Sequence, residues 1–359
     1  MKKLILKKYK DFDWILAASA LSIFMLGLLF LFSSTYPYNV DYVLRQVMWF
    51  LVGSLGFMLM VSVNYRKIAG IGSIFYFLII FLLAAVLIFG SRRLGAQRWL
   101  TIGSLNIQPS EFAKLFITIA LVQYMANHKN YRSFGNIIVS FLIVAIPFVL
   151  IMKEPDLGTA LMFIPVLFAL LYIWGTPLRY LLLMVSSGVL LSPFAWFLLK
   201  DYQKDRLLVF MNPGVDPLGA GYTIIQSRIA VGSGGLFGRG WLSGTQNQLN
   251  FLAERHTDFI FSVAGEEWGF FGCLLLIGLY YLLIRRIIMI IEKTDDPCGR
   301  LLGTGLGVMI GIQVIVNISM TMGFMPVVGL PLPLVSYGGS SLLVTMIALG
   351  LLESIAIHR

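Results

Sequence analysis

Apolar residues run in unbroken stretches of about 20, the length a helix needs to cross a ~30 Å hydrocarbon core, and short polar connections separate the stretches along the whole chain. This pattern predicts spans near Trp14 to Ser33, Gln46 to Val63, Ala69 to Gly90, Phe112 to Ala126 and Asn136 to Met152. Five more follow near Leu157 to Trp174, Leu178 to Leu199, Thr257 to Ile284, Leu301 to Phe324 and Ser340 to Ile357. The runs are continuously apolar, whereas the strands of a membrane barrel would alternate, so helices are expected throughout. The expected fold class is all-α: a polytopic integral membrane protein of about ten transmembrane helices, one domain over residues 1–359, with a long extracytoplasmic loop near 200–256.

Composition agrees with that reading: 58% of the 359 residues are hydrophobic and 12% charged, far below the quarter charged of a water-soluble domain. The formal net charge of +10 does not point to nucleic acid, because the basic residues are scattered between apolar runs rather than gathered in a stripe. They instead sort the connections into two sides. One side carries the N-terminal lysines, Arg66, Lys67, Lys129, Arg132, Arg179, Arg285, Arg286, Lys293, Arg300 and Arg359, and should be cytoplasmic, with both termini. The first apolar run, Trp14 to Phe32, is too long for a signal-peptide core and is expected to stay as a span. Cys273 and Cys298 are the only cysteines, one in a predicted span and one in a predicted cytoplasmic loop, so no disulfide framework is expected.

The opposite side holds the informative segments: Arg92 to Glu111, Lys153 to Asp156, Lys200 to His256, and the uncharged turn from Gly323 to Gly339. A loop of about 55 residues in a compact protein is usually functional or disordered. Its glycine-rich middle, Val231 to Gly240, is interleaved with apolar residues and is expected to pack on the membrane surface.

Ionisable residues at membrane depth are functional candidates. Glu111 and Lys114 fall three apart on a helix opened by Gln108, Pro109 and Ser110, so they can pair, either to fix helix packing or to meet substrate. Asp258 opens the eighth predicted span, and a helix from there to Arg285 would rise about 40 Å, which places the carboxylate at the outer mouth. The helix dipole would favour its charge and burial would oppose it, a balance suited to a general base; the plainer alternative is that Thr257 and Asp258 only cap the helix. Gly265 and Gly269 lie within about 20° of the Asp258 direction, leaving room for a neighbouring helix or a lipid tail. Glu266 and Glu267 point elsewhere, and at least one needs a polar partner or a proton. Arg92, Arg93, Arg98, Arg206, Arg228, Arg239 and Arg255 all lie on the outer side, and arginine suits phosphate. There is no Walker loop, dinucleotide fingerprint, HExxH or nucleophile elbow, so soluble-type nucleotide or protease chemistry is not expected.

Several stretches, in order, resemble the SEDS family (shape, elongation, division and sporulation), in particular its RodA-type branch. They are Gly95-Ala-Gln-Arg-Trp-Leu, Gln108-Pro-Ser-Glu-Phe-Ala-Lys, Glu154-Pro-Asp-Leu-Gly-Thr-Ala and Asp216-Pro-Leu-Gly-Ala-Gly-Tyr. Gly232-Ser-Gly-Gly-Leu, Gly244-Thr-Gln-Asn-Gln-Leu, Glu254-Arg-His-Thr-Asp-Phe-Ile-Phe and Leu330-Pro-Leu-Pro-Leu-Val-Ser-Tyr-Gly-Gly-Ser follow. Two departures are visible: Ala253 stands where the family usually has Pro, and Glu154 where it has Gln.

The resemblance implies a peptidoglycan glycosyltransferase of the bacterial cytoplasmic membrane that polymerises lipid II onto an undecaprenyl-pyrophosphate-linked glycan during elongation. It would work with a class B penicillin-binding protein and the elongation machinery, and a divalent cation, Mg or Mn, is implied. By resemblance the catalytic residue is Asp258, the intramembrane pair Glu111 and Lys114, and the acid after the fifth span Asp156. With them, Arg98, Arg206, Arg228, Arg255, His256 and Ser336 are the expected substrate-binding residues. A lipid II flippase and a noncatalytic scaffold for the penicillin-binding protein are the alternatives. The topology has a direct test: a cysteine at Gly219 should react with an impermeant maleimide on intact spheroplasts and one at Lys129 should not, and the reverse pattern would overturn the outer-face assignment.

Overall fold

The computed structural model describes residues 11–36, 40–93, 96–103, 105–128, 133–219 and 221–358. The N-terminal lysines, Lys129, Arg132 and Arg359 lie outside them. The chain folds as α1 (Trp14–Thr35), α2 (Asp41–Ser62), the short α3 (Tyr65–Gly70) and α4 (Gly72–Phe89). A three-stranded antiparallel meander follows, β1 (Ser91–Arg93), β2 (Ala96–Ile102) and β3 (Leu105–Ile107), then α5 (Pro109–Asn127), α6 (Phe134–Lys153), α7 (Leu157–Trp174) and α8 (Leu178–Leu198). The long loop contains α9 (Asp201–Met211), a 3-10 turn at Pro213–Val215, α10 (Tyr222–Ser233) and α11 (Thr245–Gln248). The last three helices are α12 (Ile260–Glu292), α13 (Pro297–Thr321) and α14 (Gly339–His358).

Among the described residues eight helices are long and apolar enough to cross a membrane. α5 and α8, of 19 and 21 residues, are the other long helices; α5 carries Glu111 and Lys114 inside an otherwise apolar sequence. The outer surface of the bundle is apolar: Leu44, Met48, Leu51 and Leu55 of α2 are exposed, and among the described side chains of α8 only Leu181 is buried. A surface of that extent needs an apolar solvent, and the protein is a multi-pass membrane protein. The small sheet in the Arg92 to Glu111 connection was not expected from the apolar pattern, because its strands are three to seven residues long and read only as loop.

Close approach at small residues packs the bundle. A Cβ at Gly350 of α14 would lie 2.6 Å from the carbonyl oxygen of Phe57 on α2, and one at Gly72 of α4 would lie 2.9 Å from that of Ile119 on α5. The connections then gather at the two ends. At one end Tyr65 bonds Asp296 at 2.8 Å, and Arg286 grips Asp13 at 2.6 to 3.1 Å. At the other lie the sheet, the Lys153–Asp156 turn, the long loop and the segment from Gly323 to Gly339, the same division that the charge pattern makes.

Helix α12 departs from the continuous span expected from Thr257 to Ile284. It starts at Ile260 and breaks at Gly269, whose φ of +65° and ψ of −157° no side-chain-bearing residue adopts readily. The break strands backbone groups, and the glycine-rich part of the long loop pairs them. Phe270 and Phe271 N–H donate to the carbonyls of Gly235 and Leu236 at 2.9 and 3.2 Å, and Arg239 and Gly240 N–H donate to those of Glu266 and Glu267 at 3.0 and 3.1 Å. This loop therefore packs against the broken helix, while Leu236, Phe237 and Trp241 stay exposed. The room beside Gly265 and Gly269 is filled by this segment: a Cβ at Gly234 would sit 1.9 Å from the Gly265 carbonyl oxygen, and one at Gly238 2.1 Å from that of Glu267.

Substitution should separate these positions. Gly234→Ala and Gly238→Ala should lower melting temperature and folded yield sharply, whereas Gly232→Ala, where a Cβ meets nothing within 4 Å, should be neutral or slightly stabilising in a helix. Thermal unfolding in detergent by intrinsic fluorescence reads the difference, and equal behaviour of the three would contradict the packing.

Candidate functional site

Asp258 lies in an irregular turn, residues 253–259, rather than in the first turn of a helix. Phe259 is the N-cap of α12 and no side chain caps it, so neither Thr257 nor Asp258 serves as the expected cap; Thr257 Oγ1 instead donates back to Glu254. The helix-dipole argument for Asp258 falls with this correction. The residue is half-buried; its carboxyl receives no hydrogen bond from the described residues and lies against Gly329, where a Cβ would be 3.3 Å from Oδ2. Desolvation, reinforced by Glu254 and Asp156 and opposed by Arg206 and Arg98, pushes its pKa up to about 7.

The charged groups acting on Asp258 come from four separated segments. Arg98, on β2, donates to the carbonyls of Glu154 (3.1 Å) and Pro155 and lies 3.9 Å from Asp156. Asp156 is the N-cap of α7: it accepts from Thr159 N–H at 3.3 Å, and its other oxygen from Ser110 Oγ at 3.1 Å and Gln108 Nε2 at 3.3 Å. Arg206, on α9, donates to Val327 O at 3.1 Å and thereby fastens the long loop to the segment that holds Gly329.

The other expected residues fall into supporting places. Ser336 is buried; its hydroxyl donates to Thr257 O at 2.6 Å and accepts from Leu332 N–H at 2.7 Å, pinning the final loop to the Asp258 turn. The His256 ring packs 4.9 Å from that of Tyr42, and burial, reinforced by Arg255 and opposed by Glu254, lowers its pKa, so it is mainly neutral at pH 7. Arg228 donates to Gly323 O at 2.8 Å. Arg255 donates to Ser34 O, Asn247 O and Asn250 Oδ1, facing the end of α1. Glu266 and Glu267 both have partners: Gln246 and Asn247 N–H with Thr245 Oγ1 for the first, Ser33 Oγ and Asn247 Nδ2 for the second.

Glu111 and Lys114 are each 3% exposed and pair at 2.9 Å. Lys114 Nζ also donates to Gln313 Oε1 at 3.0 Å, and Gln313 Nε2 donates to Pro331 O at 2.8 Å. The pair therefore reaches the Asp258 site through an amide of α13. Three residues outside the expected set matter here. Gln313 and Asn317 are amides at helical spacing in an apolar span, a signal that was available in the sequence. Glu154, a departure from the family pattern in the sequence, is fully buried, neither carboxylate oxygen has a partner among the described residues, and burial with Asp156 pushes its pKa up to about 9, against the pull of Arg98.

With this geometry described, comparison with known proteins decides the family. The FtsW/RodA/SpoVE model, described as a cell cycle protein, matches residues 13–359. The chain belongs to this family. It is 42% identical over 316 residues to the peptidoglycan glycosyltransferase MrdB of Escherichia coli K12, covering 88% of this chain and 85% of that one. The peptidoglycan glycosyltransferase RodA of Treponema pallidum is 34% identical, with 96% and 97% covered. A chain of a solved peptidoglycan synthase complex, which coordinates polymerization and crosslinking, matches with a TM-score of 0.83 at 35% identity, covering 96% of this chain and 97% of that chain. The rod shape determining protein RodA of Thermus thermophilus gives 0.73 at 30%, covering 97% of each.

The buried pair is testable by a double-mutant cycle. Glu111→Ala and Lys114→Ala should each cost roughly 3–5 kcal/mol in stability by stranding a buried charge, and the double variant should cost less than their sum. Additive losses in unfolding free energy and turnover would show that the two do not interact.

Proposed function

We propose that this protein is a peptidoglycan glycosyltransferase that polymerises lipid II at the outer face of the bacterial cytoplasmic membrane, with both termini in the cytoplasm and Asp258 as the general base. One observation carries the reading: a carboxyl with oxygens free of hydrogen bonds from the described residues, and a pKa raised to about 7, stands among Arg98, Arg206 and Asp156 at the loop end of the bundle. That is the state a base needs near neutral pH, ionised in good part yet basic enough to take a proton. The relatives named peptidoglycan glycosyltransferase supply the reaction class.

In the proposed step the 4-hydroxyl of an incoming lipid II gives its proton to Asp258 while its oxygen bonds to C1 of the lipid-linked glycan. The bond from C1 to the pyrophosphate oxygen breaks, undecaprenyl pyrophosphate leaves with the electron pair, and configuration at C1 inverts. Arg206 faces the developing charge best. It uses one N–H on Val327 O, whereas Arg98 is committed to Glu154, Pro155 and Asp156, so Arg206 keeps most of its five donors for phosphate oxygens.

The donors do not form a resident site for the Mg or Mn that the family resemblance implies. Among the described residues no three His, Cys, Asp or Glu side chains are placed to hold a metal, and the oxygens of Asp156 are already hydrogen-bonded. Such an ion would be held chiefly by substrate phosphates, and no step is routed through it. The product strand is the substrate for crosslinking, which fits a class B penicillin-binding protein as partner within the elongation machinery.

Asp258→Asn keeps the size of the side chain but cannot act as the base. The variant should fold and bind its penicillin-binding partner while losing polymerisation of purified lipid II by roughly 10²-fold or more. In the unaltered protein, kcat/KM should rise with pH through about 7 and level off above it, because only the ionised carboxylate accepts the proton. Arg206→Gln removes a charge that lowers the pKa and should move this limb to higher pH; Glu254→Gln removes one that raises it and should move the limb lower. Near-normal polymerisation by Asp258→Asn would refute the base and return weight to a flippase or a scaffold.

A further inference from the structure

Two amides on one face of α13 connect the buried ion pair to the loops around Asp258. Gln313 and Asn317 are four residues apart, so they share a face, and they are 3% and 0% exposed. Gln313 takes the Lys114 proton donor on one side and holds Pro331 O on the other. Asn317 Nδ2 donates to Leu330 O at 2.7 Å and to Asp258 O at 3.0 Å. An amide nitrogen carries two N–H bonds, so both are used, one on each backbone segment that borders the Asp258 carboxyl. One segment is its own; the other continues from Gly329, the residue that lies against Oδ2.

Neither segment is held by regular secondary structure: residues 253–259 form turns, and 325–336 are turns and irregular chain. Their spacing is therefore set by the few cross-links between them, of which Asn317 is the one that bonds the carbonyl of Asp258 itself. The Asn317 Oδ1 atom is buried without a partner, an arrangement that costs stability and persists here on a side chain whose donors are both fixed.

We propose that Asn317 is a positioning residue for the glycosyl transfer, bridging the backbones of Asp258 and Leu330 so that the slot holding the carboxyl keeps one width, with Gln313 and the Glu111–Lys114 pair bracing the helix that carries it. The proposal rests on Asp258 as the base. A displacement of about 1 Å at a reacting group can cost 10²-fold in rate, so a bridge of two hydrogen bonds is enough to matter. A wider slot would also admit water to the carboxyl and weaken the desolvation that raises its pKa. The charges facing Asp258 are Glu254 on its own turn, Arg206 on α9, Arg98 on β2 and Asp156 before α7, and all remain in the variants below.

The experiment measures lipid II polymerisation by the full-length protein with its penicillin-binding partner, for Asn317→Leu, Asn317→Ser and Ser227→Ala, together with melting temperature. Ser227, on α10, is the control: its buried hydroxyl lies 2.6 Å from Ser262 Oγ of α12 and donates to Thr321 O of α13 at 2.6 Å, so both contacts fall on helices and neither on the Asp258 or Leu330 backbone. Asn317→Leu should lower kcat by 10-fold to 100-fold, change KM by less than about 3-fold, and move the acid limb of kcat/KM to lower pH by half a unit or more. Ser227→Ala should lower melting temperature and leave the limb in place. If Asn317→Leu does not fold, Asn317→Ser, which is smaller and keeps one donor, should show the same shift in milder form. An unmoved limb in the Asn317 variant that folds, with activity falling only in step with melting temperature as in Ser227→Ala, overturns the proposal. Loss of activity in Asp258→Asn alongside an unmoved Asn317 limb discards the positioning role alone; retained activity in Asp258→Asn discards the base on which it stands.

Discussion

The break at Gly269 imposes the constraint on which the outer half of the protein depends. A helix interrupted within a span leaves carbonyls and amides that no water in the hydrocarbon can satisfy, so protein must supply the partners. The segment from Gly234 to Gly240 does so, and it can approach only because Gly234, Gly238, Gly265 and Gly269 offer no Cβ. Pairing these groups draws the long loop into the bundle. Once there, its short helix α11 turns its N–H groups onto Glu266, and Asn247 reaches Glu267. Two acids that would otherwise be costly at this depth become the anchors of the loop.

The same loop carries Arg206 toward Asp258 from one side, while the sheet carries Arg98 from another. Neither arginine is sequence-adjacent to the acid, and each is oriented by backbone carbonyls, of Val327 for Arg206 and of Glu154 and Pro155 for Arg98. The buried pair and the Asp258 carboxyl belong to different segments, the pair to α5 and the carboxyl to the turn before α12. The Glu111–Lys114 pair is buried from solvent, and its hydrogen-bonded connection to the loop at Pro331 runs through Gln313.

The sequence carried the spans, the sorting of their connections into two ends and the acids because each is a local property: hydropathy over twenty residues, charge in short connections, or a carboxylate in an apolar setting. The three-residue pairing of Glu111 with Lys114 was likewise readable, since helical spacing alone brings them together. What was not readable depends on long-range backbone pairing. A glycine in an apolar run looks the same whether it contacts a lipid tail or a re-entrant turn, so the break at Gly269 was missed, and with it the start of α12 at Ile260. The arginines show the same limit. Seven lie in the segments the charge pattern assigns to the outer side, but only the fold shows Arg98 and Arg206 lowering the pKa of Asp258 while Arg228 and Arg255 bond loop and helix-end carbonyls.

Glu154 has a consequence for the electric field that an approaching anion meets. The formal net charge counts it as negative, yet a carboxyl with a pKa near 9 keeps its proton at neutral pH. Glu154 then contributes no negative charge at neutral pH, and the difference falls beside Arg98, at the loop end of the bundle. A glutamine there would carry the same zero charge at every pH. In this protein the local potential is instead tied to alkalinity, and the positive field beside Arg98 weakens as that one proton is lost.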